Sequence, residues 1–240
     1  MLTDNKKSSG LIGTKNESSL HRSLKFRYSG SDGFVEIQAG VFVCDGLTSE
    51  GEIIEVQIGS FAPLKEKLSL FARSGKVRII HPIIEGKYIE LYGLDGSLLR
   101  RRKSSRKGKT WDLFKALIYA PWLAVTKNLS IELAMVDIVE KRLDDGKGSW
   151  RRKGVSIADR VLAAYNSSVV LSRRSDYNQF VPFKKGESFT TEGLAKKAKI
   201  NVSLARKTLY VLAKLGIVEK TGRQGNAFIY ERKRIKRKLI

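Results

Sequence analysis

The sequence predicts an α/β protein: a mixed sheet flanked by helices over residues 1–145, then a second region over residues 146–240 built on two short helices and a two-stranded hairpin. Three observations carry this expectation. Strand-like runs of apolar and β-branched residues recur at Phe34–Asp45, Glu52–Ile58, Val77–Ile80 and Lys87–Tyr92. Between the second and third of them, Phe61, Leu64, Leu68 and Phe71 fall on one face of a helix. Near the C-terminus, Thr191–Lys199 and Ser203–Leu215 read as amphipathic helices joined by a tight turn at Ile200-Asn201-Val202.

Residues 1–15 are polar and rich in Gly, Ser and Lys, which predicts a loose arm. A helix is expected from Asn16 to about Tyr28, capped by Asn16 or Thr14, with Glu17 in its first turn and Leu20 and Leu24 on one face. Gly30 and Gly33 mark the turn into the first strand. Ser60 can cap the helix that runs to Ala72, Pro63 is tolerated in its first turn, and Gly75 ends it. A short helix is expected over residues 111–120 and a strand over 130–139. Asp144–Gly154 reads as a boundary by its Gly and charge density, and Ile157–Val170 as a helix.

With 46 Lys+Arg against 24 Asp+Glu, the formal net charge is +22, and such a chain is drawn to polyanions, nucleic acid foremost. An anionic membrane surface is the rival partner, but no apolar run reaches the length needed to span a bilayer, and MLTDNKKSSG lacks the apolar segment of a signal peptide. The single cysteine, Cys44, forms no internal disulfide and fits a reducing cytoplasm; it falls in an apolar run and is expected to be buried. One cysteine and two histidines exclude a zinc finger. His21 is expected at the surface, His81 as structural, and Trp111, Trp122 and Trp150 in the core or at a domain interface.

The segment GLTSEGE joins the two early strands. A three-residue loop at Ser49-Glu50-Gly51, with Gly51 left-handed, sets Thr48 opposite Glu52 and Asp45 opposite Glu55. Gln57, two residues on, shares the Glu55 face, while Ile54, Val56 and Ile58 turn to the core. Two carboxylates and an amide oxygen form a hard-oxygen set suited to Mg²⁺ or Mn²⁺. A two-residue loop would instead separate Asp45 and Glu55, and alternation of this kind also marks any half-exposed strand.

In the C-terminal region Leu194, Ala195, Ala198 and Ile200 are expected to pack on Ala205, Leu209, Leu212 and Leu215, leaving Arg206, Lys207, Tyr210 and Lys214 outward. Strands at Ile217–Thr221 and Ala227–Glu231 follow, around a turn that carries Arg223. Over residues 189–231 this order resembles a winged helix-turn-helix, which implies a recognition helix in the DNA major groove, with Lys220, Arg223 and the tail Arg232-Lys233-Arg234 on phosphates. A packing or dimerisation module is the other use of such a unit. The block Arg100, Arg101, Arg102, Lys103, Arg106, Lys107 and Lys109 is a candidate phosphate-contacting loop, and Arg232–Lys238 reads as a basic arm.

The order helix with Glu17, strand with Asp45, strand with Glu55-Val56-Gln57, amphipathic helix, strand resembles the PD-(D/E)XK nuclease superfamily, the restriction-endonuclease-like fold. SLHRSLK, IIEVQIGSFAPLKEKL, VRIIHPI and RRRKSSRKG resemble a family of uncharacterised prokaryotic proteins of that fold, over most of the chain. The resemblance implies Asp45 and Glu55 as ligands of Mg²⁺ or Mn²⁺, Glu17 as a helper carboxylate, and Gln57 where the superfamily usually has lysine. Glutamine carries no charge and is no base, so Lys67, beside the apolar stripe, is the expected replacement, ahead of Lys65. The implied activity is metal-dependent cleavage of DNA, double-stranded by expectation, in a cytoplasmic, nucleoid-associated protein that a homodimer would suit. A non-catalytic DNA-binding regulator on an inactive nuclease fold is the alternative that Gln57 keeps open.

Overall fold

The computed structural model describes residues 17–30, 34–39 and 42–233. The expected arm over residues 1–15, the caps at Thr14 and Asn16, Gly33, and the tail from Arg234 lie outside the described residues.

Helix α1 spans Ser19–Ser29 and is capped by Ser18, whose hydroxyl accepts from the His21 N–H. Strands β1 (Phe34–Ala39), β2 (Phe42–Leu47) and β3 (Ile53–Val56) follow as an antiparallel meander. The β2–β3 turn has the expected form: Gly51 adopts φ +78° and donates to Thr48 O, and Thr48 N–H donates to Glu52 O. After a 3-10 turn at Ala62–Leu64, helix α2 (Lys65–Ser74) crosses over to β4 (Val77–Tyr92), which pairs parallel with β3.

The two short strands expected at 77–80 and 87–92 are one strand of 16 residues. Its β3-facing edge is open beyond Ile80, whose carbonyl accepts from Gln57 N–H. Residues two apart on a strand present their peptide groups to the same edge, so the missing N–H of Pro82 falls where β3 has already ended. Further along, Gly108 N–H donates to Ile84 O at 2.7 Å and Ser104 N–H to Lys87 O at 2.8 Å. Strand β5 (Leu98–Lys103) then takes the same edge, antiparallel at Tyr88–Tyr92.

Strand β6 (Leu129–Leu143) lies parallel along the whole of β4, and β7 (Ser156–Leu171) runs antiparallel on β6. Two expectations are corrected here. Residues 157–170 form a strand, not a helix, and because that strand belongs to the large sheet, the boundary at 145 falls inside the β6–β7 hairpin. Among the described residues the mixed sheet has seven strands, in the order β1-β2-β3-β4-β6-β7 with β5 on β4.

Helix α1 covers one face, closing Leu20 and Leu24 over Ile54, Val56, Ile80, Ala134, Val136 and Ile138. The other face carries α2, helix α3 (Leu113–Leu117, shorter than expected) and helices α4 (Thr191–Ala198) and α5 (Val202–Lys214). Thr190 caps α4 and Asn201 caps α5. Strands β8 (Val218–Gln224) and β9 (Ala227–Arg232) pair as a hairpin after them. Leu194, Ala195, Ala205, Leu209 and Leu212 join Phe114, Leu117 and Phe180 in one core, so the C-terminal helices are built into the sheet's second layer. Among the described residues no helix is long and apolar enough to cross a membrane.

Candidate active site

The chemistry-bearing side chains collect at the C-terminal end of β3. Asp45 lies within β2, and its Oδ2 accepts from Val56 N–H at 2.8 Å. It faces α1, where Lys25 Nζ stands 3.1 Å from its Oδ1 and His21 Nε2 3.4 Å from its Oδ2. Lys25 also meets Glu17 at 2.9 Å and Glu36 at 3.1 Å, so its three ammonium protons serve three carboxylates. Glu36 reaches this point from a left-handed backbone position, φ +58°, a local irregularity in β1 that re-aims its side chain.

His21 is inside the site, not at the surface. Its Nδ1 lies 2.5 Å from Glu17 Oε1 and its Nε2 2.8 Å from the Val56 carbonyl. A carbonyl only accepts, and an ionised carboxylate only accepts, so both ring nitrogens carry protons and the ring is an imidazolium. Burial opposes that charge, but Asp45 and then Glu17 outweigh it and raise the His21 pKa to about 9. Burial likewise opposes ionisation of Asp45 and Glu17. Their hydrogen bonds, from His21 and Val56 N–H to Asp45 and from His21 and Lys25 to Glu17, hold both below the usual carboxylate values.

Glu55 is the exception. It is 3% exposed in a strand buried on both faces, unlike the half-exposed strand that such alternation also marks. Burial first, and then the adjacent Asp45 carboxylate, push its pKa up to about 7. Lys67 Nζ sits 2.6 Å from its Oε1, while its buried Oε2 has no hydrogen-bond partner among the described residues. The expected lysine from α2 is thus in place, whereas Gln57 turns its amide to Ser60 O at 2.6 Å. Lys65 is not in this cluster of ion pairs.

Among the described residues no three His, Cys, Asp or Glu side chains form a ready metal-ligand set. What the site offers is two carboxylates and a main-chain oxygen: Asp45 Oδ2 and the Val56 carbonyl both face the Nε2–H of His21, and Glu55, whose pKa the Asp45 charge helps to raise, has one oxygen without a partner among the described residues. That donor set suits a small hard dication displacing the imidazolium.

A cavity of about 480 Å³ opens over Glu17, His21, Lys25, Glu36 and Gln57. It shares Ile58, Gly59 and Arg160 with a cleft of about 530 Å³ in the gap between β3 and β5, where Lys87, Arg106, Lys115 and Arg160 face Asp112 and Glu140. Of the expected phosphate contacts, Arg106 lines that cleft, and Arg101, Arg102, Lys103 and Lys107 are exposed on β5 and the loop after it. Lys109 of the same loop donates to Lys199 O at the end of α4, at 2.7 Å. Arg206, Lys214 and Arg223 are exposed and Lys207 half-buried; they line neither cavity. Arg232 is corrected: its guanidinium turns inward to the carbonyls of Asn178 and Val181.

Sequence reasoning set His21 at the surface and passed over Lys25 and Glu36 as site residues. A signal for the first two was present, since Glu17, His21 and Lys25 recur every four residues on one helix face. No comparable signal marks Glu36, whose placement depends on its backbone irregularity.

The fold and site define an α/β protein with a mixed sheet and a buried carboxylate–cation cluster at a strand end. The chain belongs to the family described as domain of unknown function DUF8091, whose model matches residues 18–172, from the cap of α1 to the end of β7. It is also similar to an uncharacterized protein of Treponema pallidum (strain Nichols), at 28% identity over 184 residues that cover 77% of this chain and 73% of that protein. No solved structure matches the chain.

Proposed function

We propose that this protein is a divalent-metal-dependent deoxyribonuclease with a restriction-endonuclease-like core and a winged helix-turn-helix that grips double-stranded DNA. The observation that carries the reading is the Asp45–Glu55 pair: two carboxylates on adjacent strands, Asp45 turned to Lys25 of α1 and Glu55 to Lys67 of α2, the charge of Asp45 helping to raise the pKa of Glu55, whose second oxygen has no partner among the described residues. Like charges that interact in this way are costly unless a cation offsets them. The succession α1-β1-β2-β3-α2-β4, with α1 and α2 on opposite faces, supports the same core.

In this reading Asp45, Glu55 and the Val56 carbonyl hold Mg²⁺ or Mn²⁺. The ion supplies Lewis acidity and an activated water for attack on the phosphodiester. Lys67 orients Glu55 and favours its ionised form, and Glu17 shares with Asp45 the two cations of α1, His21 and Lys25. The cationic cleft beside the site receives the flanking phosphates. The net charge and the outward cations of α5, β8 and β5 support DNA as the partner and a nucleoid-associated location.

Cleavage of supercoiled and branched DNA with Mg²⁺ or Mn²⁺ tests this. The wild type is expected to cut, and Asp45→Ala and Glu55→Ala to bind DNA without cutting. A wild type that binds every substrate and cuts none sinks the nuclease reading. It would favour a DNA-binding regulator, for which two observations already speak: Lys25 and His21 already supply cations to Asp45, and the Gln57 amide is engaged by Ser60 O.

A further inference from the structure

The far end of the sheet carries the most exposed large apolar side chains among the described residues. Tyr92 of β4 aligns with Leu98 of β5 and Leu143 of β6, and Leu143 with Ser156 of β7. Asp144 N–H donates to Tyr92 O at 3.0 Å. The turns over residues 93–97 and 144–155 therefore leave the sheet side by side. Leu94 in the first is 80% exposed, and Trp150 in the second is 83% exposed, where a core or interface residue was expected. An indole left almost wholly in water is uncommon unless something docks on it.

The longer turn is a built structure. Gly148 N–H donates to Gly154 O at 2.6 Å, Lys153 N–H to Trp150 O at 3.0 Å, Arg152 Nε to Val155 O at 3.1 Å, and Ser156 Oγ to Asp145 at 2.8 Å. A Cβ at Gly148 would stand 1.8 Å from Val155 O, so the turn closes only with glycine there. Lys147, Arg151, Arg152 and Lys153 flank Trp150 in the same turn, with Asp144 and Asp145, and the Arg151 guanidinium lies 5.5 Å from the ring centroid. From the same end, β5 carries the exposed Arg100, Arg101, Arg102 and Lys103 along the sheet edge.

An exposed indole on a closed turn, with a guanidinium beside it and further cations in the same turn, has the chemistry of a nucleobase platform: the ring stacks on a base while the cations hold its phosphates. We propose that the 144–155 turn contacts nucleic acid through Trp150 stacked on an unpaired base, with Leu94 as its apolar flank. This rests on the reading of the protein as DNA-binding and adds a substrate class, DNA with unpaired bases such as a single strand or a bulged or branched duplex.

The test is fluorescence anisotropy in EDTA, with the full chain and end-labelled single-stranded, bulged and fully paired DNA of one length. Anionic phosphatidylserine vesicles are titrated in parallel. Trp150→Ala is expected to weaken single-stranded and bulged binding about tenfold, the size of one base–aromatic stack. Paired duplex should change less than about twofold, and Trp150→Phe should restore most of the loss. Unchanged melting checks that the exposed turn alone was altered. Trp150→Ala binding every DNA as the wild type does overturns the stacking inference and leaves DNA binding standing. A wild type that binds no DNA overturns both. Vesicle binding that Trp150→Ala abolishes, with DNA binding untouched, assigns the turn to a membrane surface and overturns the inference.

Discussion

Lys67 of α2 and Glu55 of β3 form a buried ion pair, Nζ to Oε1 2.6 Å, in which the second carboxylate oxygen has no partner among the described residues. The pair joins the crossover helix to the strand end that bears the candidate site. Removing one member of a buried pair strands the other charge, at a cost of roughly 3–5 kcal/mol, whereas replacing both by apolar or neutral groups is often tolerated. Lys67→Met is therefore expected to lower stability to urea strongly, and Lys67→Met with Glu55→Gln to recover much of it. Additive losses in the double variant would show that the two residues act separately. In cleavage assays Lys67→Met is expected to lose at least about 100-fold, the usual size of a lost acid–base or charge-positioning group.

The chain has two histidines, and the site separates them. His21 donates from both nitrogens and its pKa is raised to about 9, Asp45 and Glu17 outweighing burial. His81 is buried under Phe61, its Nδ1–H donates to Gln57 O at 2.6 Å, and burial holds its pKa below the usual value. Long-range ¹H–¹⁵N spectra of the protein in EDTA should show one imidazolium persisting to about pH 9 and one neutral ring persisting well into the acid range. The linkage has opposite signs. Stability from His21 is full below about 6.5, the ordinary histidine value, and fades as pH rises towards 9; that from His81 is full above about 6.5 and fades as pH falls below it. His21→Gln should flatten the alkaline limb of the stability curve and leave the acid limb unchanged. An unchanged alkaline limb would refute the imidazolium assignment.

The β2–β3 hairpin was legible because one residue decides it: a left-handed Gly51 closes a three-residue loop, and the register Thr48–Glu52 follows. Helices α4 and α5 were legible because Thr190 and Asn201 cap two apolar stripes of the right period. Strand β7 was not. It lies at the sheet's edge, only Leu171 of its residues is fully buried, and Ala163-Ala164 gives it local helix preference, so neither period nor propensity reported the pairing with β6. At the site, Asp45, Glu55 and Lys67 could be read from spacing and resemblance, but His21 could not be separated from a surface histidine. Its role depends on a main-chain carbonyl from a strand 35 residues away.

Gly108 fastens the basic loop across the open edge of β4, and a Cβ there would stand 2.5 Å from Ile84 O. Gly59, on the rim of the same cleft, has open space at its Cβ and an ordinary φ. Gly108→Ala should cost about 1–3 kcal/mol, which for a chain of this size lowers Tm by several degrees, and Gly59→Ala should cost under about 0.5 kcal/mol. Equal melting temperatures for the two variants would show that the loop is not held by that contact.

The salt dependence of duplex binding should sort the cations by what they touch. Each phosphate that the protein no longer neutralises lowers the slope of log K against log salt by about 0.9. Arg206 and Arg223 are exposed on α5 and β8, so Arg206→Ala and Arg223→Ala should each weaken binding across all duplex sequences or reduce the slope by about one. Arg101 and Arg102 lie exposed on β5, and their replacement should act the same way if the sheet edge and α5 engage one duplex. Arg232 is the internal control: it occupies the carbonyls of Asn178 and Val181, so Arg232→Ala should lower the melting temperature and leave the slope unchanged. If Arg232→Ala changed the slope while Arg206→Ala and Arg223→Ala did not, the helix–turn–helix would be serving as a packing module, and its outward cations would not be DNA contacts.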